Sequence, residues 1–308
     1  MNTAPRLDSV GWGLIAILSV LWGSAFFLIA VGLRGYPPNT LVFLRLALAI
    51  LPMWIAMRFA GETLPRDGRS WWLLLVVGAL NCSLPFIMFF WGQQYLASGY
   101  ASILNATTPL WGVVIAHFMT QDEKLTPARL SGVFLGMAGI VVMAWPEAVK
   151  GLTGNLIAQL ACLVSTLFYS IAAIYGRRLS QTRMTPIVVA TGQTMMAALF
   201  MLPVVLIVDK PWAMSMPGWD STLAACTLAL LSTALAYILY FRLIDRAGAS
   251  NAQLVAFIMP VIAVMLGVTF LGEHLSERQL VGASLIALGL VALDGRLLSR
   301  TAAATSSQ

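Results

Sequence analysis

The sequence predicts an all-α membrane protein: ten transmembrane helices in two inverted five-helix repeats, with both termini cytoplasmic. Three observations carry that prediction. The 308 residues are 59% hydrophobic and only 10% charged, against roughly 25% charged residues in a soluble domain. Such a chain cannot cover itself with a polar skin, so its medium is lipid. A long stretch, 96–143, recurs as 247–293. Lastly, lysine and arginine collect in alternate loops.

Apolar runs of spanning length fall at 11–32, 39–59, 71–91, 97–119, 127–146, 154–175, 186–208, 219–241, 248–271 and 278–297. They are called spans 1 to 10. Span 1 has about the ~20 residues that cross a bilayer and exceeds a signal-peptide core, so it reads as retained. The loops between spans are short and hold the charges, as in RFAGETLPRDGRS, TQDEKLT and YGRRLSQTRMT. Residues 1–150 form the first repeat, 151–297 the second, and 298–308 a small polar tail.

The repeat fixes how these spans relate. Pro109 aligns with Pro260, 151 residues on, and Ala101 with Ala252 at the same spacing. One residue then drops out, and Glu123, Leu125, Leu130, Gly132 and Gly139 align with Glu273, Leu275, Leu280, Gly282 and Gly289 at 150. Earlier in each half LIA at 14–16 matches LIA at 156–158, Phe26 matches Phe168, Pro38 matches Pro186, and Arg45 matches Gln193. Five spans is an odd number, so the second half enters the membrane upside down. That symmetry suits alternate opening to either side of a central site.

With the N-terminus inside, 13 basic residues face the cytoplasm: Arg6, Arg58, Arg66, Arg69, Lys124, Arg129, Arg177, Arg178, Arg183, Arg242, Arg246, Arg296 and Arg300. Only 4 face out, namely Arg34, Lys150, Lys210 and Arg278, while Arg45 lies within span 2. The net charge of +6 is therefore sorted by membrane side rather than gathered into a nucleic-acid patch. Cys82, Cys162 and Cys226 show neither metal-ligand nor disulfide spacing and read as buried hydrophobes. No nucleophile elbow, zinc helix motif or phosphate loop is present. The reading is of a non-enzyme without metal or cofactor, whose partners are the bilayer and a small molecule.

Several features together resemble the EamA-type drug/metabolite transporter superfamily. They are the 5 + 5 spans, LWGSAFF at 21–27, FLRLALA at 43–49, NATTPLW at 105–111, and E-x-L before a Gly-rich span in both halves. The resemblance covers nearly the whole chain. It implies a secondary transporter, usually an exporter of amino acids or related metabolites, in the cell (inner) membrane. YddG-like amino-acid exporters are the nearest subgroup, without a diagnostic motif. A multidrug or other metabolite carrier of the superfamily is the alternative. The resemblance also implies a central cavity lined by spans 1, 3, 4, 6, 8 and 9.

Residues on those spans supply a candidate pocket. Pro109 and Pro260 each lie about 12 residues into a span, ~18 Å deep and near mid-bilayer. Each proline frees a carbonyl four residues back, on Asn105 and Ala256. Two readings stay open: these carbonyls and the Asn105 side chain receive a substrate ammonium, or Thr107, Thr108 or packing satisfies them. Helical spacing places Asn81, Pro85 and Phe89 on one face of span 3, and Gln159, Thr166 and Tyr169 on one face of span 6. Span 8 pairs Thr233 with Tyr237, span 9 offers Gln253 and Phe257, and span 1 offers Trp22, Ser24 and Phe26. Arg45 either snorkels to the outer surface or serves as a gate or carboxylate anchor.

All twelve acidic residues fall in loops or at span ends, so no carboxylate proton relay is visible. His117 and His274 are peripheral. Gly132 and Gly136 in span 5, with Ala283 and Ala287 in span 10, permit close helix packing. That packing is within a subunit or between subunits, which leaves a homo-oligomer open.

Overall fold

The computed structural model describes residues 8–119, 126–150, 154–180, 182, 184–252 and 254–294. Among them there are helices and turns and no strand. The first half runs α1 (Ser9–Gly32), α2 (Pro38–Phe59), α3 (Gly68–Gly78), α4 (Leu84–Gly92), α5 (Ser98–Asn105), α6 (Thr108–Met119) and α7 (Pro127–Val149). The second runs α8 (Gly154–Ser180), α9 (Pro186–Val204), α10 (Trp219–Ala229), α11 (Ala236–Ala247), α12 (Ala249–Ala252), α13 (Leu254–Leu271) and α14 (Glu277–Asp294). A π-helical turn, Ala79–Ser83, joins α3 to α4. Another, Leu230–Leu235, joins α10 to α11.

Local chemistry sets the helix starts. Proline stands in the first turn of α2, α7 and α9, where its missing N–H costs no helical bond. Asp8 and Asp67 cap α1 and α3 by accepting the Gly11 and Ser70 N–H groups, each at 2.8 Å. Asp8 also receives Nε of Arg246 at 3.0 Å, tying α1 to α11. That guanidinium, with the Gly11 N–H, holds the Asp8 carboxyl down to about 2. A depressed carboxyl stabilises the fold above the ordinary carboxylate range and stops doing so as pH falls toward about 2. The melting temperatures of wild type and Asp8→Asn are therefore expected to differ at neutral pH and to converge through that acid window, with the gap shrinking in high salt.

Eight described helices are long and apolar enough to cross a membrane. They include 68–92 and 219–244, which run unbroken through their π turns. The apolar stretch 98–119 is divided into α5 and α6, each too short to span alone. The outside of the bundle is apolar, with Phe134, Ile207 and Phe270 two-thirds or more exposed. In water such a surface would aggregate; in a bilayer it is solvated.

The halves interlock. α1 packs on α13, α2 on α9, and α4 on α8, around a core holding Leu41, Leu46, Phe90 and Leu104. α7 and α14 form the tightest pair. The meeting face on α14 is Gly282, Ile286, Gly289 and Leu293, set against Gly132, Gly136, Gly139 and Met143. This packing lies within one chain. Its small residues on α14 are glycines; Ala287, expected at the contact, is exposed.

Two faces of the bundle differ. The N-terminal face carries the Asp8–Arg246 pair. At the opposite, far face, ties between the halves are dense. Asn39 Nδ2, the Thr40 N–H and the Thr40 hydroxyl donate to Asp209 at 2.7–2.8 Å. The Ser98 N–H, Ser98 hydroxyl and Gly99 N–H donate to Glu273 at 2.6, 3.0 and 3.0 Å. Each carboxylate of the second half thus caps the N-terminus of a first-half helix.

Candidate functional site

A cavity of about 450 Å³ lies between the halves. α1 contributes Trp22 and Phe26, α2 Arg45, the first π turn Asn81, and α4 Phe86, Phe89 and Phe90. Asn105, Thr108, Pro109 and Gly112 come from α5 and α6, Tyr169, Ser170 and Ala173 from α8. Ser232, Tyr237 and Tyr240 follow from the second π turn and α11, and Ala252, Val255, Ala256 and Met259 from α12 and α13. Ala252 lies within one turn of the loop at Gly248, so the cavity reaches toward the N-terminal face. On the other side it ends at aromatic rings. Phe26 meets Phe89 edge-on at 6.0 Å, and Phe89 stacks on Tyr169 at 6.3 Å.

Arg45 does not snorkel: it is 7% exposed and turned inward. Its Nε donates to the Thr233 hydroxyl at 2.9 Å, and its guanidinium carbon lies 4.1 Å over the Phe86 ring. That stacking stabilises the cation without neutralising it. No carboxylate pairs with it among the described residues, and its terminal nitrogens make no protein hydrogen bond there.

The other half makes a comparable contact without charge. Gln193, the repeat counterpart of Arg45, accepts from Asn81 Nδ2 at 3.4 Å. Asn81 and Thr233 both lie in π turns. In each half, then, a polar side chain of the second long helix bonds to the π turn of the opposite half. Glutamine suffices for that junction, so the positive charge at Arg45 serves something else.

The sequence-predicted residues divide. Trp22, Phe26, Arg45, Asn81, Phe89, Asn105, Thr108, Pro109, Tyr169 and Tyr237 share the cavity wall. Seven others do not line it. Ser24 and Thr166 donate to carbonyls of their own helices, on Leu21 and Leu163. Thr233 is buried beneath Arg45. Pro85 is buried in α4, and Gln159 lies in a separate cavity at the far face. Phe257 packs against the core, and Pro260 sits inside an unbroken α13. Gln253 lies outside the described residues.

The π turns explain two of these displacements. A π turn inserts one residue, so a face repeats after five positions there rather than four. Phe86, not Pro85, follows Asn81 along the wall, and Ser232, not Thr233, precedes Tyr237. Nothing in the apolar text around 79–83 or 230–235 signals the insertion. Tyr240 was legible as the i+3 neighbour of Tyr237, and its ring lies 5.1 Å from Trp22.

The proline pair also separates. Pro109 stands in the first turn of α6, after a break at Ala106–Thr107. The Asn105 carbonyl is not bare: the Thr108 hydroxyl donates to it at 2.7 Å, and Thr107 does the same for Leu104. The Asn105 carbonyl thus has a partner within its own chain. Cys82 and Cys162 are buried free thiols, and no cluster that could hold a metal occurs among the described residues.

Comparison with known proteins places this architecture. The EamA-like transporter family matches residues 10–145 and again 156–293. The chain belongs to that family. It is therefore a membrane transporter rather than an enzyme. The EamA chain is 25% identical over 288 residues to the uncharacterized inner membrane transporter YedA of Escherichia coli K12, covering 91% of this chain and 89% of that one. It is 26% identical over 295 residues to a probable terminal-alkyne amino-acid exporter of Streptantibioticus cattleyicolor, covering 96% of each. PecM of Dickeya dadantii is 26% identical over 91% of each chain. A solved crystal structure superposes with a TM-score of 0.68 at 19% identity, over 96% of this chain and 99% of that one, which is a likeness of fold.

Proposed function

We propose that this EamA transporter exports small carboxylate-bearing amphipaths, foremost amino acids, across the inner membrane by alternating access through the 450 Å³ cavity. The observation that carries the reading is Arg45. A buried cation within a membrane is costly and calls for an anion. Here the described residues supply only a hydroxyl and aromatic faces, while the guanidinium faces open space. A substrate carboxylate fits that fork in a bidentate pair. The remaining wall suits the rest of an amino acid: Trp22, Tyr169 and Tyr237 offer rings to an ammonium or an apolar side chain, and Asn105 and Ser232 offer acceptors. The name of the Streptantibioticus relative, an amino-acid exporter, supports the same class.

In this reading the ten apolar stretches are ten spans, the halves are inserted in opposite senses, and both termini are cytoplasmic. The 13 to 4 split of basic residues supports that orientation. The cavity then opens inward, with the outer face closed by the Phe26–Phe89 contact and the Asp209 and Glu273 caps. Among the described residues no acidic side chain lines the cavity, which speaks for facilitated flow or coupling through another group.

Proteoliposomes holding one labelled amino acid, challenged with a panel of unlabelled ones, test the function. Arg45→Gln copies the opposite half's own residue and keeps a polar partner for Thr233. It is expected to fold normally and to lose tenfold or more in affinity for carboxylate substrates, about 1.4 kcal/mol per decade. Amines without a carboxylate should lose little. Unchanged flux of every amino acid in the variant would remove Arg45 from the site. The aromatic wall also favours a second reading, a carrier of cationic drugs, which the panel resolves if amines alone compete.

A further inference from the structure

A second cavity, about 190 Å³, lies at the far face among the ends of α4 and α7 and the starts of α5, α8 and α14. Two of its lining side chains are wrongly placed for mere structure. Tyr100 and Gln159 are each only 3% exposed. Yet the Tyr100 hydroxyl and the Gln159 carbonyl oxygen have no hydrogen-bond partner among the described residues. Leaving such groups unpaired is unfavourable, and native folds avoid it unless something else fills the gap. One atom can donate or accept and the other accepts, so a partner that carries hydrogen-bond donors satisfies both. Where the cavity meets solvent it is flanked by opposite charges, an exposed Arg278 and a half-buried Glu147 that also pairs with Lys150 at 2.9 Å.

We propose that this cavity binds a zwitterion of amino-acid size, and that its occupation holds the far face shut. Arg278 meets the carboxylate, Glu147 the ammonium, and Tyr100 and Gln159 bond the ligand's inner end. The link to the gate is positional. Ala97 and Tyr100 flank Ser98 and Gly99, whose N–H groups Glu273 receives. Ser276, Arg278 and Gln279 follow Glu273 on the opposing half. An occupant touches both sides of that cap, so it binds only while they are together and shifts the balance toward the closed outer face by that difference in affinity. On the orientation proposed above, the site faces outside and lets accumulated product slow its own export.

Equilibrium dialysis of purified full-length protein with labelled L-serine, L-methionine and L-glutamine in turn tests this. Wild type is expected to take two molecules of at least one probe per chain. Arg45→Gln should retain one, and adding Arg278→Gln or Tyr100→Phe should abolish it. Arg278 is exposed, so its variant keeps the packing; if Arg45→Gln does not purify, Arg278→Gln alone should lower wild type from two to one. External probe should slow export in wild type and not in Arg278→Gln. No binding of any probe to Arg45→Gln, meaning that the cavity holds water alone, overturns the proposal. So does residual binding indifferent to Arg278 and Tyr100. Failure of the transport reading shows separately, as unaltered flux in Arg45→Gln.

Discussion

Gly289→Leu is expected to leave almost no folded transporter in detergent extracts. A Cβ at Gly289 would sit 2.6 Å from the Gly132 carbonyl and 2.7 Å from the Gly136 nitrogen. Both are backbone atoms in a helix, so no side chain can swing aside. The helices must separate, and every contact of α7 with α14 loosens together. Overpacking a core costs typically 1–3 kcal/mol when side chains can adjust; against rigid backbone the upper end or beyond applies. Gly139 is the second pinch point, its added Cβ 2.6 Å from the Gly282 carbonyl. Gly13→Ala is the control, because nothing lies within 4 Å of its Cβ. It removes a flexible residue from α1 and should hold or raise the melting temperature. Size-exclusion profiles and thermal melts of the two variants decide the matter. A monodisperse, wild-type-like Gly289→Leu protein would mean that α7 and α14 are not locked at this seam.

Glu273→Ala should open the far face. The wild-type carboxylate accepts three hydrogen bonds, two of them from the first N–H groups of α5, where the helix end is electropositive. Bonds to a charged acceptor contribute about 1.5–3 kcal/mol each. Even a fraction of one bond's worth, 1.4 kcal/mol, shifts a two-state gate tenfold. The readout is a cysteine placed at Ile29, buried in the α1 wall, in a background lacking Cys82, Cys162 and Cys226. Labelling by an impermeant maleimide from the far side should accelerate at least tenfold in Glu273→Ala. Glu273→Gln should fall between, since its carboxamide retains one acceptor oxygen. Equal labelling in all three would leave the carboxylate as a local cap with no part in gating.

These expectations draw on contacts that differ in how far they were legible. Composition and the 151-residue repeat are properties of the text itself, so the helical membrane fold followed from them directly. Ten cavity-wall residues were also legible, because polar and aromatic groups in an apolar span turn inward. Pro85 and Thr233 were misplaced by one position because the inserted residue of a π turn leaves no mark in the sequence. The bond from Arg45 to Thr233 joins residues 188 apart and needs the fold before it can be seen. Asp209 and Glu273 read as ordinary loop carboxylates, since the helix ends that they cap belong to the other half. Gly282 and Gly289 lost out to Ala283 and Ala287, although the repeat had already paired both with glycines of α7.

The two π turns bear on ancestry as well as geometry. One begins at Ala79 and the other at Leu230, again 151 residues apart. A π turn holds one residue more than the α-helical turn it replaces. Independent insertions at the same place in both halves would be a coincidence; inheritance needs only one. The extra residue then belongs to the repeat itself rather than to either half alone. The charge at Arg45 is absent from its counterpart Gln193, so it belongs to one half alone.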